Sequence, residues 1–240
     1  MATALTPIDT SGEADTKQPP AAVATAVRRS VGDGWGAVHL HGVSWQTYQA
    51  LLADLGDASG PRLTYDRGVL RIMSPGPQHE KCNRALSLLV ELLAEELDLE
   101  VENFGSSTFK REDLKRGFEP DTCFYIGNAA RVTGKLVIDL SADPPPDLVI
   151  EVDITSSGSD KLPLFAALGV PEVWRFCGRH VSIYKLSGRS YGDSDTSIAF
   201  PMLTSETLGG LARRGVVGGR RDFVRAVRAW VREQRASGPA

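Results

Sequence analysis

The run Pro144-Pro145-Pro146 followed by Asp-Leu-Val-Ile-Glu-Val-Asp-Ile (147–154) sets the tightest limit on what this chain can fold into. Three consecutive prolines stop any preceding regular element, because each has a fixed φ and no amide N–H to donate. The residues that follow are mostly Leu, Val and Ile, which suit a pleated, buried strand. Alternation puts Leu148, Ile150, Val152 and Ile154 on one face and Asp147, Val149, Glu151 and Asp153 on the other. Glu151 therefore sits in the middle of an apolar strand. A carboxylate buried there is costly unless a hydrogen bond, a cation or a metal compensates it.

Other elements follow from period and punctuation. Residues 1–36 are rich in Ala, Thr, Pro and Asp without a sustained apolar period and read as a disordered tail. Ala37 to Gly42 reads as a short strand. Ser44 caps a helix from Trp45 to Leu55, with Trp45, Tyr48, Leu51, Leu52 and Leu55 on one stripe. Arg62 to Met73 reads as a hairpin turning at Asp66-Arg67-Gly68. A long helix follows from about Gln78 to Leu97, with Cys82, Leu86, Leu89, Leu93 and Leu97 at helical spacing. Extended segments are expected at 100–104, 107–110 and 120–126, with a charged loop over 111–117. Ser157 or Ser159 begins a helix that ends at Leu168-Gly169, and 172–176 with 181–186 form a second hairpin. The last helix runs from about Arg220 to Arg235. These elements predict an α/β (α+β) protein with a mixed central sheet flanked by helices: a domain over 37–203 and an amphipathic helical extension over 204–240.

Composition excludes several classes. The net charge is -3, so nucleic acid would have to be met by a local basic patch rather than a global field. Cys82, Cys123 and Cys177 form neither a disulfide framework nor a zinc motif, and each reads as a small buried hydrophobe. There is no signal-peptide pattern and no apolar run long enough to cross a membrane, which points to a cytoplasmic protein without membrane contact. GxxxxGK[ST] and G-x-S-x-G arrangements are absent. His39 and His41 alternate on a strand with no third metal ligand nearby in sequence, and read as an ordinary strand edge.

Chemistry is concentrated where polar residues interrupt strands: Glu119-Pro120-Asp121, then Glu151, then Lys161 at the start of the next helix. Two carboxylates from neighbouring strands can hold Mg²⁺ (or Mn²⁺) through hard oxygens, and a lysine beside them can orient a water or offset developing charge. Each residue also has a structural reading: Asp121 as a strand-start residue, Glu151 as a buried ion-pair member, Lys161 as a solvated helix residue.

Beyond the residues themselves, Leu63 to about Leu203 resembles the Uma-two family of restriction endonucleases, a branch of the PD-(D/E)XK nuclease superfamily. The resemblance is carried by Pro77-Gln78-His79-Glu80, by Glu119-Pro120-Asp121, by 146–152 (PDLVIEV) and by 161–174 (KLPLFAALGVPEVW). It implies a restriction-endonuclease-like core, hydrolysis of DNA phosphodiester bonds, and a divalent-metal site at Asp121 and Glu151 with Lys161 assisting. The superfamily lysine normally stands two residues after the glutamate. Here that position is Asp153, which becomes a further candidate metal ligand, and the lysine falls to Lys161. The loop 155–160 lacks the Ser-Pro-Ser run of that branch.

On the first long helix, Glu80 falls with the polar side and His79 with the buried stripe, so His79 ranks ahead of Glu80 as a neighbour of the site. The C-terminal segment from Leu211 carries eight Arg against Asp222 and Glu233. Arg221, Arg225, Arg228, Arg232 and Arg235 lie on one stripe, either to track phosphates or as the solvated face of a docked helix. A metal-dependent DNA endonuclease is the leading function, with a catalytically silent binding or accessory module on the same fold as the alternative. A homodimer is compatible with double-strand cutting, an argument from function rather than from residues.

Overall fold

The computed structural model describes residues 28–29, 37–56, 60–154, 161–178 and 180–237. The expected tail lies outside these residues except Arg28–Arg29, as do Ser157, Ser159 and the loop between them.

The described strands form two six-stranded sheets rather than one. In the first, β1 (Arg28–Arg29), β2 (Ala37–His41), β3 (Arg62–Asp66), β4 (Val69–Met73), β6 (Phe109–Arg111) and β7 (Arg116–Phe118) pair antiparallel in the order β1-β2-β4-β3-β7-β6. The second contains β5 (Glu102–Asn103), β8 (Thr122–Tyr125), β9 (Leu148–Val152), β10 (Glu172–Phe176), β11 (Val181–Ser187) and β12 (Ser190–Ser194), in the order β12-β11-β10-β9-β8-β5. Only β9 and β10 are parallel, so this sheet is mixed. The helices are α1 (Trp45–Leu55), α2 (Pro77–Leu97), α3 (Ala129–Val132), α4 (Leu162–Leu168), α5 (Ser205–Val217) and α6 (Arg220–Ser237).

Local chemistry fixes the boundaries that matter. Ser44 accepts the Thr47 amide at 3.0 Å to start α1. Arg67 and Gly68 both take positive φ (46° and 97°), the conformation that a two-residue hairpin turn needs. α2 begins on a proline, whose missing N–H costs nothing in the first turn. The segment 111–117 is not a loop as expected: it closes the β6–β7 hairpin, with Lys115 at φ 49° in the turn and Phe109 stacked on Phe118 (centroids 5.2 Å). α4 starts only at Leu162, so Lys161 is its N-cap residue rather than part of its first turn.

Three apolar clusters hold the layers together. Leu148, Ile150 and Val152 on one face of β9 pack against α2, α5 and α6. Val149, on the other face, meets α4 and the paired phenylalanines of β6 and β7, which tie the two sheets together. α1 covers the first sheet through Trp45 and Tyr48 over Leu63, Tyr65 and Leu70. Each fully buried Leu, Ile or Val contributes about 1.5–3 kcal/mol, so β9 is among the best-anchored strands. The last two helices are thus part of the main core: Phe223, Val227 and Val231 of α6 are buried in it, while Arg228 pairs with Glu95 and Glu96 of α2 at 2.9 Å. Cys82 and Cys123 are buried, but Cys177, just past β10, is exposed, contrary to expectation. Among the described residues, no helix is long and apolar enough to cross a membrane.

Candidate active site

The alternation of β9 that buries Ile150 towards α2 sends Glu151 out of the opposite face. β8 pairs with β9 so that Thr122 faces Ile150. Continuing that antiparallel register by one step sets Asp121 opposite Glu151. On the other side β10 places Arg175 level with Glu151. Two acids side by side in neighbouring strands repel, and a proton or nearby cations must make the arrangement tenable.

Their partners, three cations and one imidazole, arrive from four elements. Lys161, at the start of α4, reaches back so that Nζ lies 2.5 Å from Glu151 Oε2, with both side chains only 8% exposed. Arg62, the first residue of β3, binds Asp121 Oδ1 through Nη1 and Glu80 Oε1 through Nη2 at 3.0 Å. Arg175 donates to Asp153 Oδ2 at 2.5 Å. His79, in the first turn of α2, has Nε2 2.9 Å from Asp121 Oδ2, off the line that a good N–H hydrogen bond requires. Asp121 Oδ2 also accepts the Val152 amide at 2.6 Å, and its backbone carbonyl takes the Asn83 side-chain amide at 2.9 Å. Glu119 tethers rather than reacts: it accepts from the Leu63 amide and the Thr108 hydroxyl, both at 2.7 Å.

The two central carboxyls are pushed in opposite directions. Burial raises Asp121, but His79, Lys161 and Arg62 outweigh it and hold its carboxyl below the usual range. Burial dominates at Glu151 and, with Asp121 and Asp153 beside it, overcomes Lys161 and lifts it to about 7. Opposed shifts of two adjacent carboxyls keep one acid anionic and leave the other able to hold a proton near neutrality, a pattern common to functional sites and to structural ion-pair networks.

A cavity of about 290 Å³ opens onto these groups, with His79, Asp121, Glu151, Asp153, Lys161 and Arg71 in its wall. Glu151 Oε1 is buried in it without a hydrogen-bond partner. That oxygen, next to a second carboxylate, is a hard-donor position suited to Mg²⁺ or Mn²⁺, which commonly take one or two carboxylates and complete their shell with water and substrate phosphate. Among the described residues, no three His, Cys, Asp or Glu side chains converge as a ready-made metal cage. Asp153 stays tied to Arg175, and Glu80 faces Arg62 at the rim, one residue round the helix from His79.

The residues singled out by sequence, Asp121, Glu151, Lys161 and His79, therefore meet in one place, with Glu80 and Asp153 attached through arginines. Arg62, Arg71 and Arg175 were missed. Each is a cation interrupting a strand pattern, the same signal that exposed Glu151, but on strands where an outward-facing polar residue is unremarkable.

A mixed sheet flanked by helices, with opposed acids and a lysine at the mouth of one cavity, describes a restriction-endonuclease-like protein. A family model described as Uma2, "Putative restriction endonuclease", matches residues 45–214, and the chain belongs to that family. Among solved structures it is similar to "a putative nuclease belonging to DUF820" from Anabaena variabilis, at 12% identity and a TM-score of 0.48, covering 70% of this chain and 98% of that one. No curated protein matches.

Proposed function

We propose that this protein is a divalent-metal-dependent endonuclease that hydrolyses DNA phosphodiester bonds in the cavity between Asp121, Glu151 and Lys161. The observation that carries the reading is the pair of facing carboxyls with Glu151 Oε1 buried and unpartnered beside them. Asp121 and Glu151 would hold Mg²⁺ or Mn²⁺, which supplies a more acidic bound water and neutralises charge on the phosphoryl oxygens. The chain's own residues do the rest. Asp121, kept anionic by its neighbours, presents a fixed negative oxygen. Glu151, whose carboxyl burial lifts to about 7, would hold the cation as a carboxylate through the otherwise unpartnered Oε1. Lys161, released from sole duty to Glu151, can then donate Nζ–H to the attacking water or to a phosphoryl oxygen. His79 braces Asp121 from α2.

A silent binding module is favoured by one observation: Asp121 and Asp153 are both already paired to arginines. Incubating supercoiled plasmid with the protein separates the readings. Nicking with Mg²⁺ or Mn²⁺, suppressed by chelation and abolished in Glu151→Ala, supports the nuclease. Equal nicking by wild type and Glu151→Ala would sink this mechanism, and no metal-dependent nicking by either favours the silent module.

A further inference from the structure

We propose that Arg71 is a phosphate-binding residue of this cavity, holding a nucleic-acid phosphodiester next to the Asp121–Glu151 pair. The alternation of β4 directs Leu70 towards α1 and turns Arg71 to the opposite face, into the cavity wall beside Glu151 and Lys161. Its cross-strand neighbours on β2 and β3 are His39 and Thr64, neither of which is an anion. Arg71 is only 7% exposed, and its Nε is buried without a hydrogen-bond partner. Among the described residues no acid pairs with it, although every neighbouring cation of the site has one: Arg62 with Asp121, Lys161 with Glu151, Arg175 with Asp153.

A guanidinium on a largely buried side chain, with Nε lacking an acceptor and no acid beside it among the described residues, is expensive, and proteins seldom leave one so. The cost is recovered if an anion enters the cavity. The planar fork of Arg suits phosphate oxygens, to which it can donate two hydrogen bonds at once. Arg71 also borders a second hollow of about 580 Å³ lined by His39, Thr64 and Lys161, so a chain of phosphates can pass it from the cavity outwards. Lys161 is common to both spaces, which places the phosphate held by Arg71 at or beside the one facing the carboxyls.

The inference rests on reading the cavity as a nucleic-acid site, but its test needs neither metal nor cutting. With EDTA present, the full-length protein is titrated with a short fluorescein-labelled DNA oligonucleotide, and affinity is read by anisotropy for wild type and Arg71→Met. The expected result is about a tenfold or greater loss of affinity in Arg71→Met, the usual scale of a lost charge-assisted contact. The same oligonucleotide with uncharged methylphosphonate linkages should bind the two proteins alike. In the ¹⁵N spectrum the Arg71 Nε–H resonance should move when the oligonucleotide is added. Because no described acid pairs with the guanidinium, the urea midpoint of Arg71→Met should equal or exceed that of wild type, whereas a structural arginine would lower it. Equal affinity of wild type and Arg71→Met for the phosphodiester oligonucleotide overturns the proposal. So does an Nε–H resonance that responds to inorganic phosphate but not to the oligonucleotide. Arg71-dependent binding without any nicking would refute the nuclease reading and leave this one standing; metal-dependent nicking with Arg71-independent binding would do the reverse.

Discussion

Replacing Lys161 with Met removes the amine 2.5 Å from Glu151 Oε2 and leaves a carboxyl that is 6% exposed facing Asp121 without its cation. Removing one partner of a buried pair costs about 3–5 kcal/mol when the other must stay charged. Glu151 can avoid that cost by taking a proton, so the penalty depends on pH. In wild type, burial already lifts Glu151 from 4.5 to about 7. A carboxyl raised in the folded state binds its proton more tightly folded than unfolded. Its stabilising contribution is full below pH 4.5 and is lost as pH rises through about 7, a swing of about 3 kcal/mol. Without Lys161 the folded-state value climbs further and the loss continues into the alkaline range. Urea unfolding should therefore find Lys161→Met within about 1 kcal/mol of wild type at pH 5 and a further ~1.4 kcal/mol less stable at pH 8, the most that one pH unit above a wild-type value of about 7 allows. Adding Glu151→Gln to the variant should recover most of the loss at pH 8. Equal destabilisation at both pH values would refute the reasoning, because it would mean that Lys161 matters through packing rather than through the charge on Glu151.

Glu172 is fully buried and accepts from Trp174 Nε1 (2.7 Å) and from the amides of Ile198 (2.8 Å) and Ala199 (2.9 Å). Glu172→Gln sets an NH₂ against at least one of these donors and should cost about 2–4 kcal/mol in urea unfolding, with the nicking rate of the folded protein unchanged. Gly117 has no room for a methyl group: a Cβ there would lie 2.3 Å from the hydroxyl of Tyr48, itself fully buried and stacked on Tyr65. Gly117→Ala should lose about 1–3 kcal/mol in thermal unfolding, and a further Tyr48→Phe should return part of it, since that hydroxyl lacks a hydrogen-bond partner.

Much of the chain announces itself. Trp45–Leu55, bounded by Ser44, folds as its stripe predicts, and the Arg67-Gly68 turn and β9 sit where their patterns put them. Helical phase correctly turned His79 inwards and left Glu80 more open. What escaped depends on contacts made far away in sequence. Although it lies within the helical extension expected over 204–240, where the sequence marked a distinct helix only from about Arg220, α5 contains Gly209, Gly210 and Gly215, poor helix formers. It forms because Thr204 caps it and because glycine lets it approach: a Cβ on Gly215 would press on Ala85 at 3.1 Å and on Phe223 at 3.0 Å. The turn and β7 read as a charged loop until Phe118 is seen to stack on Phe109 and to meet Phe165 of α4 edge-on. The division into two sheets follows from pairings that no single-strand pattern encodes. At the site, the two acids were visible because each interrupts an apolar strand. Arg62 and Arg71 were not, because the outer face of a hairpin is where arginines ordinarily meet water.

The proposed nuclease needs Asp121 and Glu151 to hold a divalent cation together. Soaking crystals of the protein in Mn²⁺ and collecting anomalous data tests this most directly. A single strong peak beside the Glu151 and Asp121 carboxylates, lost in Glu151→Gln, is the expected result. An empty cavity at saturating Mn²⁺, with the Arg62–Asp121 and Lys161–Glu151 pairs both intact, would contradict it.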